Sequence, residues 1–207
     1  MSDPSNPIAA WSEIGAWWVA IAGGAMAAYK AIQELHESNR QRHDAIEQRK
    51  DDLRWRRAEM AKQCLDEIRH DPAAAAAMKM IDWQNLRFIM SDGHQTAQIP
   101  RARRHSALRT TNLEFGDQER FIRDAFDAFF DGLQSLEHYI GISLIEFEDV
   151  SPALTYYVDK LAHPSEFHVM YTYMSEYGFK DALMLLDRFP AWKDAAANAG
   201  PPMTAAY

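Results

Sequence analysis

The chain has 207 residues, of which 47% are apolar and 25% charged; this composition supports a packed core and excludes general disorder. The formal net charge of −8 is unevenly divided, because residues 1–112 hold 16 Lys/Arg against 14 Asp/Glu, whereas residues 113–207 hold 6 against 16. The acidic C-terminal half would repel phosphates, so nucleic acid is not an expected partner.

Residues 1–10, MSDPSNPIAA, read as a short extracytoplasmic tail. From Ile14 to Tyr29 no residue is charged, and Trp11 to Ile32 contains only Glu13 and Lys30 as charges. A helix over Trp11–Tyr29 would climb about 27 Å, close to the ~30 Å hydrocarbon core of a bilayer. Residues 11–32 are therefore expected to form a single-pass transmembrane helix, with a buried or interfacial helix as the alternative. A cleaved signal peptide fits less well, because no Lys or Arg precedes the apolar run. The downstream flank is basic (Lys30, Arg40, Arg42, Arg49, Lys50). The positive-inside rule then places the N-terminus outside and the rest in the cytoplasm.

Ala16, Ala20, Gly24 and Ala28 recur every four residues in this stretch. Such a small-residue stripe allows close helix approach in lipid, so homo-oligomerisation through it is expected. Residues 33–70 follow without Pro or Gly and are rich in Glu, Gln, Arg, Lys and Ala. They read as a charged helical stalk continuing the first helix. Ile46, Leu53 and Met60 are spaced by seven, one edge of a coiled-coil seam, but Arg49 and Arg56 occupy the intermediate positions.

Cys64, the only cysteine, excludes an intrachain disulfide and suits a packing thiol on an apolar helical face. Nearby, Glu67 and His70 have the Glu-x-x-His spacing that di-iron helical bundles use, but the second such motif those sites need is missing. No metal site and no cofactor are expected. His36 with His43, and His163 with His168, likewise lack the cysteines of a zinc cluster.

Residues 71–190 read as a helical cytoplasmic domain. Asp71 and Pro72 open a helix with an apolar face of Met78, Ile81, Leu86 and Ile89. The next stretch, SDGHQTAQIPRARRHSALRTTN, reads as a long loop carrying Arg101, Arg103, Arg104, His105 and Arg109. Its length and charge make those four arginines the candidate site for a protein partner or an anionic ligand. Asp117 is placed to cap a strongly amphipathic helix on Ile122, Phe126, Phe129, Leu133, Leu136 and Ile140. Asp124, Asp127 and Asp131 fall on its opposite, solvated face.

Further helices are expected from Ser151-Pro152 to about Ala162, from Ser165 to Tyr177 with Gly178 as the stop, and from Phe179 to Phe189. Residues 191–207 read as a disordered tail. The chain shows no strand alternation, phosphate loop, nucleophile elbow or His-Glu-x-x-His motif. The expected architecture is thus all-α: a transmembrane helix, a long charged helix and a small bundle.

The stretches FIRDAFDAFFDGLQSLEHYIGISLI, ALTYYVDKLA and EYGFKDALMLLDRF make the chain similar to bacterial single-pass membrane proteins of uncharacterised function with a small helical cytoplasmic domain. That resemblance implies a non-catalytic, membrane-anchored interaction or effector protein, in a defence or signalling setting, and transfers no catalytic residue. A membrane-tethered metal-dependent enzyme centred on Glu67 and His70, and a soluble helical regulator, are the competing readings.

Overall fold

The computed structural model describes residues 7–83, 85–89 and 96–199. The chain divides into two compact units, Met1–Arg54 and Trp55–Tyr207. Eight helices and two strands are formed by the described residues. They are α1 (Pro7–His70), α2 (Pro72–Asp82), β1 (Asn85–Ile89), β2 (Thr96–Pro100), α3 (Arg101–Ala107), α4 (Asp117–Gly141), α5 (Phe147–Leu161), α6 (Pro164–Tyr177), α7 (Lys180–Leu186) and α8 (Pro190–Ala199).

The first unit contains the N-terminal part of α1. The expected breaker-free helix is there, and the described side chains from Ile32 to Arg54 are exposed apart from half-buried Ser38. No helix among the described residues is long and apolar enough to cross a membrane, so the span expected over residues 11–32 gains no support. Much of that run is Ala and Gly, which contribute little of the transfer free energy that Leu, Ile, Phe or Val would supply. Ala16, Ala20, Gly24 and Ala28 sit on the α1 backbone, but their side chains lie outside the described residues.

The second unit is organised around α4. Its residues Ile122, Ala125, Phe126, Phe129, Phe130, Leu133 and Leu136 follow the 3,4 spacing of one helical face and are all buried. Against this face lie α2 and α7. Helix α2 is alanine-rich, and buried Ala74, Ala76 and Ala77 present small side chains there. Asp71 caps α2 as expected, its carboxylate accepting from the Ala74 amide at 2.7 Å. The end of α1 also belongs to this core, through Ala61, Cys64, Leu65 and Ile68.

The mostly helical architecture agrees with the all-α expectation. Several single elements differ: β1 and β2 form an antiparallel pair in which Leu86 faces Ile99 and Phe88 faces Ala97. Phe88 and Ile99 turn into the core, while Ile89 is exposed. The expected continuation of α2 fails at Trp83, whose extended backbone ends the helix. Gly116, not Asp117, occupies the cap of α4, where its amide donates to the Glu119 carboxylate at 3.3 Å.

Helix α5 starts at Phe147, with Pro152 inside it. Pro152 lies beyond the first turn, where a proline removes the bond to the carbonyl four residues back and disfavours the helix. The Glu146 amide donates to Asp149 at 3.0 Å and organises that start. His163 rather than Ser165 caps α6. Gly178 ends α6 in the left-handed region at φ +84°, as expected. Residues 191–199, expected to be disordered, belong to α8, which buries Trp192 completely.

Candidate functional site

The basic stretch is not one open loop. Pro100, at the end of β2, fixes the chain direction into α3, whose sequence is RARRHSA. Helical spacing puts Arg101, Arg104 and His105 on one face and turns Arg103 to solvent. All three inward groups converge on Glu166, in the first turn of α6. Arg101 Nε lies 2.7 Å from Glu166 Oε1, Arg104 Nη2 2.5 Å from the same oxygen, and His105 Nε2 2.9 Å from Oε2.

Arg104 is the centre of this arrangement and only 4% exposed. Its Nη1 donates to the carbonyl of Met80, one of the C-terminal carbonyls of α2 that the helix itself cannot satisfy. Burial pushes its guanidinium below the ordinary value, and the Glu166 carboxylate opposes that shift. Two donors remain buried without an acceptor among the described residues: Arg104 Nε and Arg101 Nη2. Both arginines line a cavity of about 240 Å³ that also touches Lys160, His163 and Glu166.

Arg109 is used elsewhere. Its guanidinium pairs with Glu119 at 2.7 Å, and it donates to the carbonyls of Asn112 at 2.7 Å and Ser106 at 2.6 Å. It also lies 4.4 Å from the centre of the Phe115 ring. The Arg109 side chain, helped by Ser106, holds the Glu119 carboxyl down at about 2. Arg109 therefore staples the segment between α3 and α4. The adjacent Arg123 is held in the same way, over the Phe115, Tyr173 and Tyr177 rings at 4.3, 4.9 and 4.6 Å, and donates to the Ala107 carbonyl at 3.0 Å.

Of the four candidate arginines, the structure thus brings together Arg101 and Arg104, puts Arg109 in a separate cluster and leaves Arg103 exposed. Glu166, His163 and Lys160 complete the first cluster, and sequence reasoning did not select them for it. Glu166 lies 62 residues from Arg104, so no local spacing connects the two.

The remaining titratable candidates do not converge. Glu67 and His70 are exposed; Glu67 accepts from Gln63 at 3.1 Å, and His70 Nδ1 lies 2.6 Å from the Asp66 carbonyl. Among the described residues no group of three or more His, Cys, Asp or Glu is arranged to hold a metal. Asp124 and Asp131 are solvated, but Asp127 is half-buried and accepts from Tyr173 Oη at 2.6 Å. Burial raises its carboxyl pKa. No family model, curated protein or solved structure matches the chain.

Proposed function

We propose that the chain is a non-catalytic helical interaction protein, in which α1 joins copies of the chain and the unit 55–207 presents a recognition surface. The observation that carries this reading is the exposure of Ile46 and Leu53, 54% and 57%, on a long stretch of helix. They are seven residues apart, and Ile32 lies on the same seam, two heptads before Ile46. Met60, the next position on the seam, packs against the core of its own unit.

A helix gains most of its stability in proteins by burying an apolar face. A second copy of α1 would supply that burial for Ile32, Ile46 and Leu53. Glu67 and His70 make only local surface contacts and Asp127 bonds to Tyr173, so these titratable groups are not gathered into one site, which favours a binding role. Sedimentation velocity of wild type and of Ile46→Asp/Leu53→Asp tests the reading. An oligomer that dissociates to monomer in the double variant supports it, whereas an unchanged species removes the seam from the mechanism.

Attachment to a bacterial inner membrane, with the N-terminus outside, is the second part of the proposal. The uncharged run Ile14–Tyr29 and the basic residues after it support this part. Carbonate extraction of membranes from cells expressing the full chain distinguishes embedded protein, retained in the pellet, from protein released to the supernatant.

A further inference from the structure

We infer that the cavity beside Arg104 binds a small zwitterion of amino-acid size, with its carboxylate on the Arg101–Arg104 side and its ammonium on the Asp159–Asp82 side. The cavity is built by the C-terminal end of α2, by α3, by the end of α5 and by the start of α6. It does not depend on how α1 assembles.

The cationic side is incomplete without a ligand. Arg104 is buried, yet its Nε–H has no acceptor among the described residues, and neither has Arg101 Nη2. Buried donors in folded proteins almost always find an acceptor, so two such groups on residues lining one cavity call for one. The start of α6 adds the positive end of a helix dipole at His163, Ser165 and Glu166. An oxygen anion placed there would lie beside both guanidinium groups.

Charge balance decides which anion. Against Arg101, Arg104 and Lys160 the same cavity presents Asp82, Asp159 and Glu166. Glu166 is consumed by the basic side chains of α3, and Asp82 accepts from the Tyr156 hydroxyl. Asp159 is exposed and has no salt-bridge partner among the described residues. With three acidic against three basic side chains in its lining, the cavity offers a phosphate dianion no net positive charge. A carboxylate that carries its own ammonium satisfies both sides at once.

Size permits this class: the cavity of about 240 Å³ has room for several waters and hence for a molecule of amino-acid size. Ile81 and Leu161 add apolar wall, which favours a short aliphatic side chain over a charged one.

Isothermal titration of the full chain with individual standard amino acids, acetate, methylamine and inorganic phosphate tests the inference. An aliphatic amino acid should bind at least about tenfold more tightly than acetate or methylamine, each of which satisfies one side of the cavity only. Arg101→Gln and Asp159→Asn should each weaken that binding by about tenfold or more, whereas Arg103→Gln, outside the cavity, should leave it unchanged. Asp159→Asn alters an exposed side chain and keeps the test valid if Arg101→Gln unfolds. Binding of phosphate in preference to every amino acid would overturn the inference, as would the absence of binding by any of them. Equal loss in Arg103→Gln would overturn it too.

Discussion

Gly132 of α4 faces Ile68 of α1 so closely that a Cβ on Gly132 would stand 2.7 Å from Ile68 Cγ1 and 3.1 Å from Cδ1. In an exposed helix, replacing Gly by Ala stabilises by roughly 0.5–1 kcal/mol. Here the Cγ1 methylene of a buried, β-branched side chain blocks the methyl group, and overpacking of this kind costs about 1–3 kcal/mol. Gly132→Ala is therefore expected to lower the denaturation midpoint. In an Ile68→Ala background the same change should cost nothing further, which a double-mutant cycle measures. Additive losses in the two single variants would show that the contact does not govern this packing.

Glu137 and Arg188 make a second close relationship. The Glu137 carboxylate is buried, and Arg188 reaches it with Nε at 2.9 Å and Nη2 at 2.5 Å. Arg188 lies partly in solvent, so the penalty for disturbing the pair falls mainly on the carboxylate. Arg188→Ala should destabilise by about 1–3 kcal/mol, because a buried acceptor loses its donors. Arg188→Ala in a Glu137→Leu background should cost much less. Urea denaturation of the four proteins reads this difference directly.

Acid should act through Glu119. Its folded pKa, about 2, lies below the ordinary value of 4.5, mainly because Arg109 and Ser106 hydrogen-bond the ionised form. A depressed carboxyl contributes stability that is fully present above pH 4.5 and is lost as pH falls toward 2. Asp127 has the opposite sign: burial raises its pKa above 3.8, so its protonation favours the folded state. The comparison must therefore be between wild type and Glu119→Gln. Their melting temperatures should differ at neutral pH, with wild type higher, and converge across that acid window. A gap independent of pH would assign the effect to packing alone.

Cys64 should behave as a packing residue. It is buried in the core cluster, and burial pushes its thiol pKa up, with Glu67 adding to the shift. The thiolate is the reactive form, so alkylation by iodoacetamide should be slow in the native protein and fast in denaturant. Equally fast labelling in both states would show that this part of α1 opens readily.

What was legible in the sequence was what local chemistry dictates. The breaker-free run in α1, the Asp71-Pro72 start of α2, the apolar face of α4 and the Gly178 stop each depend on residues within a few positions of one another. The hairpin was missed because NLRFI and TAQIP are only five residues each. Leu86 and Ile89 also fit a helical spacing, which reads as a continuation of α2. Helix α8 was missed because its alanine-rich sequence shows little periodicity around its one anchor, Trp192. The basic stretch was recognised as a candidate site, but the partners that divide it into separate clusters were not. Arg104–Glu166 is a tertiary contact, and Arg109–Glu119 joins residues on either side of a turn.

The burial of Trp192 sets a timetable for synthesis. The core it enters also takes Ala61, Cys64, Leu65 and Ile68 from the end of α1, residues that leave the ribosome long before it does. Those apolar side chains, and the Phe-rich face of α4 after them, must wait with part of their core missing until the C-terminal helices follow. Helix α8 packs against α5 and α6, so this part of the core closes only after all three have been made. The nascent chain therefore presents an incomplete apolar surface for most of its elongation, and this interval is when it is most exposed to aggregation and to chaperone capture.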